Sequence, residues 1–244
     1  MRLADTPAPA RAGAQANAAV QAGHHPSSEP CFDAALAAFA AGRDAVASTR
    51  DDIELEDWPA PRKLAPHAFA LAATAYRDGE EAGTGKLVLL YDPDGQDGWT
   101  GPFRIVCHVH ADVEEEMAAD PLLGEVGWSW LTDALDLHAP GYAAPSGTVT
   151  REITEGFGSK SDEPPATAFE LRASWCPGPG PGPGAGSGAD SADSPDIADE
   201  LSGAVVAWCE LLAAAAGLPA QGTVAISVRP GQPRAAGPGG RRRR

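Results

Sequence analysis

Residues 120–137, DPLLGEVGWSWLTDALDL, decide how the rest of the chain is arranged. Asp120 is a good N-cap, and Pro121 suits the first helical position, where the N–H it lacks would have no partner anyway. At about 100° per residue, Glu125, Ser129, Thr132, Asp133 and Asp136 gather on one polar sector. Leu123, Val126, Trp130, Ala134 and Leu137 occupy one side of the remaining arc, and Trp128, Leu131 and Leu135 the other. That apolar arc is wider than the stripe of a surface helix. The spacing therefore predicts a helix resting on a sheet and flanked by a second helix. Trp128 and Trp130, two residues apart, point at different neighbours, and packing is the expected role of both. Gly124 and Gly127 lie inside the arc, where a bare backbone allows close approach.

Working outward toward the N-terminus, three strands precede this helix. Residues 68–76, 84–91 and 103–110 are β-rich runs bounded by turn residues. The second ends in Asp92-Pro93-Asp94-Gly95, a turn sequence. The third alternates Phe103, Ile105, Cys107 and Val109 with Arg104, Val106, His108 and His110, which places the two sets on opposite faces. Asp112 with Glu115 resembles a capping pair. Earlier still, a helix opens at Ser28 or at Glu29 and Pro30, with Phe32, Leu36 and Phe39 as its stripe. Between that helix and the strands lies an acidic stretch from Asp51 to Trp58, after which Pro59, Pro61 and Pro66 bar regular helix.

Toward the C-terminus, residues 147–155 and 167–175 read as two more strands. A last helix follows, with Ser194 as cap and Pro195 at its first position. Ile197, Leu201, Val205, Trp208 and Leu212 form its stripe, and Gly217 stands past its end. The order α-β-β-β-α-β-β-α with short connections implies an α+β two-layer sandwich built on an antiparallel five-stranded sheet.

Not all of the 244 residues belong to that unit. Residues 1–30 are rich in Ala, Pro and Gly, residues 177–194 form a Gly/Pro/Ser/Asp-rich linker insert, and residues 229–244 end in four arginines. Such segments bury too little apolar surface to offset the entropy of ordering, so a disordered N-terminal extension and a disordered tail are expected. Residues 31–176 plus 195–228 remain as a single α+β domain. The net charge of −16 sits on its body, since residues 31–176 carry 10 Lys/Arg against 26 Asp/Glu. An acidic body argues against nucleic acid as a partner, apart from contact through the Arg tail. Four separated cysteines with no C-x-x-C pair argue against a zinc ribbon or a redox motif. The first thirty residues lack the apolar core of a signal peptide and no run approaches a membrane span, so no membrane association and a cytoplasmic location are expected.

The run Asp57-Trp58-Pro59-Ala60-Pro61-Arg62-Lys63-Leu64-Ala65-Pro66, followed by ADPLLGEVGWSWLTDAL, resembles an actinobacterial family, Domain of Unknown Function 3000. The resemblance covers roughly residues 31–176 and the last helix. It implies an intracellular protein, and it supplies no activity, cofactor or catalytic residue to carry over. The element order also resembles that of secretion-chaperone-like folds, small dimeric proteins that bind other polypeptides, which favours a protein-binding module.

His108 and His110 share a strand face and could reach one metal, with Glu114, Glu115 or Glu116 supplying a carboxylate, as a metal-dependent hydrolase would need. Two histidines on a solvated or helix-facing strand side are the plainer reading. Gly83-Thr84-Gly85-Lys86 imitates a phosphate loop, but Leu87 stands where a hydroxyl is required and a strand follows in place of a helix. Asp92, Asp94 and Asp97 fail the calcium-loop pattern, because Asp97 and Phe103 occupy the positions of its glycine and glutamate. No catalytic set and no cofactor are therefore expected. Trp58, Arg62, Lys63 and Trp99 lie in irregular segments beside the sheet, where functional side chains concentrate, and they are the candidate partner-binding residues. The expected protein is a cytoplasmic binding or adaptor module engaging a protein partner or itself as a homodimer.

Overall fold

A computed structural model describes residues 30–178 and 195–220. The terminal extensions, nearly all of the linker insert, the Ser194 cap and residues 221–228 lie outside the described residues. Helix α1 (Pro30–Thr49) leads into β1 (Ile53–Trp58), β2 (His67–Arg77), β3 (Glu80–Tyr91) and β4 (Phe103–Asp112). A short α2 (Glu115–Ala119) and α3 (Leu123–His138) cross to β5 (Ala143–Thr154), then β6 (Ala166–Cys176) and α4 (Pro195–Ala215) complete the unit.

The sheet is wholly antiparallel, with six strands in the order β1-β2-β3-β4-β6-β5. The α+β class holds, but the five-strand expectation is corrected by β1. Its sequence, IELEDW, does alternate: Ile53 and Leu55 face the helices while Glu54 and Glu56 face away. Carboxylates obscure the pattern because β1 is an edge strand and buries little. Charge on an edge also discourages further pairing. After α3 the chain returns as the far edge β5, and β6 turns back to fill the gap beside β4.

Four further details of the sequence reading change. Helix α3 begins at Leu123, because the Asp120 carboxylate accepts the Leu122 N–H at 2.8 Å and caps a turn ahead of the helix. Asp112 does not cap α2, since it is still paired with Ala168 in the β4–β6 ladder. Gly127 does make the expected close approach, to the Phe169 ring, but Gly124 faces open space. Val126 is 42% and Leu137 70% exposed, so the buried stripe of α3 is narrower than its apolar arc: Leu123, Gly127, Leu131, Ala134 and Leu135.

Helix α4 is the keel of the helix layer. It is flanked by α1 and α3 and lies on β3 and β4, and its stripe of Leu201, Val205, Trp208 and Leu212 is fully buried. Trp208 lies against Gly85 of β3, where any side chain would collide with the indole. Trp128 and Trp130 diverge as their spacing requires, Trp128 toward Gly147 of β5 and Trp130 onto Phe169 at 5.6 Å. At the far end, buried Arg50 donates to both oxygens of Asp52 at 2.8 Å and to the Pro219 carbonyl at 3.3 Å. That clamp joins α1, β1 and the chain after α4, and it holds the Asp52 carboxyl below its ordinary range.

Candidate functional site

The helices cover one face of the sheet, and the site is built on the other from cross-strand neighbours. Lys86 pairs with Ala72 of β2 and His108 of β4, His108 with Arg172 of β6, and Arg172 with Thr148 of β5. One row therefore sets Lys86, His108 and Arg172 side by side. In the next row His110 pairs with Glu170. The Glu170 carboxylate lies 3.0 Å from His108 Nε2 and accepts from Arg172 Nη2 at 3.1 Å. Side chains diagonal to each other on paired strands are close enough to interact in this way on an antiparallel sheet.

Trp58 closes β1 on the same face, with the row Trp58, Ala70 and Val88. Between Trp58 and Lys86 stand only the alanines of β2, low enough for the lysine chain to cross them. Its ammonium sits 4.5 Å from the Trp58 ring centroid. A cation–π contact at an exposed position contributes about 0.5–1 kcal/mol. The indole remains 43% exposed.

The loops that follow β1 and β3 leave the sheet at the end where Trp58 stands. Gln96 donates to the Leu64 carbonyl and to Asp92 Oδ2, each at 3.0 Å, which ties the two loops together. Arg62 and Lys63 are exposed on the first loop. Trp99, half-buried on the second, lines a polar cleft of about 470 Å³ with Asp94, Gln96 and Asp97. Of the four candidate residues, Trp58 thus belongs to a strand, and the loops carrying the other three meet each other.

Sequence reasoning missed the cluster beside them. Arg104 donates to Ser174 Oγ at 2.8 Å, to Cys176 Sγ at 3.2 Å and to the Ala144 carbonyl at 3.4 Å. The Thr100 N–H also donates to Cys176 Sγ, at 3.1 Å. Ala144 sits in the irregularity between Ala143 and Ser146 with φ of 48°, a conformation that costs a residue with a Cβ about 1 kcal/mol or more. The alternation of β4 did place Arg104, His108 and His110 on one face. The Ala144 carbonyl and the Thr100 amide are backbone groups with no mark in the sequence.

The face presents charged side chains and one half-exposed indole. His108 and His110 do share the open face, yet His108 is engaged by Glu170. Among the described residues no three or more His, Cys, Asp or Glu side chains are grouped so as to hold a metal ion. Burial pushes the Cys107 thiol up to about 12 and raises Cys209 as well, so neither is poised as a nucleophile. The His108 contact, with Arg172 beside it, holds the Glu170 carboxyl below its ordinary range. A depressed carboxylate stabilises the fold fully above its unfolded pKa, and that support is lost as pH falls through the folded value. Glu170→Gln should therefore flatten the loss of thermal stability from about pH 5 downward. An unchanged acid profile would show that the contact contributes nothing to stability.

The family model described as a protein of unknown function (DUF3000) matches residues 29–225. The chain belongs to that family. The match runs from just ahead of α1 to beyond α4, so the DUF3000 unit includes the sheet, its helix layer and both bordering loops. No curated protein and no solved structure matches the chain. Among the described residues no helix is long and apolar enough to cross a membrane.

Proposed function

We propose that this DUF3000 protein is a cytoplasmic protein-binding or adaptor module that holds its partner on the helix-free face of the sheet. A single observation carries the reading: Trp58 stands half-exposed on that face beside the row Lys86, His108 and Arg172. An exposed tryptophan with charged neighbours is the composition of an interface anchor and its rim. Arg62, Lys63 and Trp99 on the joined loops extend the contact. The partner is a different polypeptide or a second copy of the chain in a homodimer. The likeness of the order expected from the sequence to that of secretion-chaperone-like folds favours a polypeptide-binding role.

The test is affinity capture from native lysate with quantitative mass spectrometry, comparing the full chain with a Trp58→Ala/Lys86→Glu variant. Both side chains are on the surface, so the fold should persist. The protein enriched by the full chain, or its own second copy, should fall about tenfold or more in the variant, the scale of an interface hot spot. Equal recovery would remove the face from the reading.

A further inference from the structure

We propose that residues 223–228 of this chain seat in the groove between α3 and α4. The groove, of about 420 Å³, is walled by Trp130, Ala134 and Leu137 on one side and Ala213 and Ala214 on the other. Leu137 lines it while 70% exposed, an apolar side chain left in water at the mouth of an apolar trough.

The chain after α4 leads into this groove. Gly217 takes φ of 67° and the Leu218 N–H bonds back to the Ala213 carbonyl at 2.8 Å, which ends the helix and reverses the chain. Arg50 fixes the next carbonyl, that of Pro219. Leu218 and Ala220 consequently line the groove themselves. The residues that follow are Gln221-Gly222 and then TVAISV.

Length, pattern and charge all agree with that occupant. In TVAISV, Val224, Ile226 and Val228 alternate with Thr223, Ala225 and Ser227, so an extended segment presents three branched apolar side chains to one side. From Val224 to Val228 such a segment spans about 13 Å. From Trp130 to Leu137 helix α3 rises about 10 Å. Asp133 and Glu210 stand among the groove residues, and the charge of Arg50, which also lines it, is met by Asp52, while residues 221–244 contain six arginines and no Asp or Glu. The first of these, Arg229, directly follows the apolar run. The docked segment would cover the exposed Leu137 and bring the basic end of the chain onto its acidic body.

Paired cysteines in the full chain test this. A Leu137→Cys/Ile226→Cys variant, oxidised and peptide-mapped, should carry a 137–226 disulfide within one chain in most molecules. Val126→Cys/Ile226→Cys, exposed on the same helix but outside the groove, should not. Mixing isotopically labelled and unlabelled copies separates the sources: a link between copies would assign the groove to a second chain and overturn the proposal, as would linkage no greater than in the control. A second reading uses Val224→Asp/Ile226→Asp in the full chain. Trp130 should then oxidise several-fold faster than in the unaltered protein, and an equal rate would overturn the proposal.

Discussion

Trp208→Ala should lower stability by about 4 kcal/mol, the scale of removing a large aromatic from a packed core. The indole is fully buried on α4 and rests on Gly85, with its Nε1 donating to the His108 carbonyl at 3.5 Å. Gly85 cannot move a side chain into the space, so the cavity would stay open. A unit of this size loses about 2–4 °C of melting temperature per kcal/mol, so the midpoint should fall by roughly 10 °C. The deletion lies directly beneath Lys86 and His108, on the opposite side of β3 and β4. Denaturant titration with thermal melts checks it. A loss below about 1 kcal/mol would mean that the helix layer is not held on the sheet by this contact.

Gly203→Ala carries the second large effect, and here two terms oppose each other. Alanine in place of glycine inside a helix gains about 1 kcal/mol from propensity. A Cβ at position 203 would, however, sit 1.8 Å from the His138 carbonyl oxygen, where α3 ends against α4. A backbone carbonyl cannot rotate aside as a side chain can, so α3 must shift as a body. Overpacking of this kind typically costs 1–3 kcal/mol and occasionally more. The clash prevails, and the net loss should be about 2 kcal/mol. Gly124→Ala is the matched control, because that position meets nothing within 4 Å. It should stabilise by about 0.5 kcal/mol. If both substitutions were stabilising, the close contact between α3 and α4 would be wrong.

What the sequence revealed depended on how far apart in the chain each cause lay. Helices α1, α3 and α4 were legible because burial repeats within a turn or two, as in Leu201, Val205, Trp208 and Leu212. Strands β2, β3, β4 and β6 were legible because they are central, and β5 because of its β-branched run. Strand β1 was not, since its inward set of Ile53, Leu55 and Asp57 itself ends in a carboxylate, which binds Arg43 of α1, and Glu54, Glu56 and Asp57 dominate its composition. The exposure of Val126 and Leu137 was also hidden, because hydrophobicity alone does not say which apolar residues find a neighbour. The candidate site was half readable. Alternation put His108 and His110 on one face, and their expected place in irregular segments beside the sheet drew attention to Trp58, Arg62, Lys63 and Trp99. The row Lys86, His108 and Arg172 joins three strands by register. Register depends on the strand order, and the insertion of β6 between β4 and β5 has no local sequence signal.

The most direct measurement of the central claim is oxidative footprinting of the isotopically labelled full chain, once in buffer and once in native lysate at equal oxidant dose. Trp58 and Phe157 are both exposed, but only Trp58 lies on the helix-free face beside Lys86. Phe157 serves as the internal reference. A partner held on that face should slow Trp58 oxidation several-fold relative to Phe157 in lysate. Identical ratios in lysate and buffer would contradict a binding role for this face.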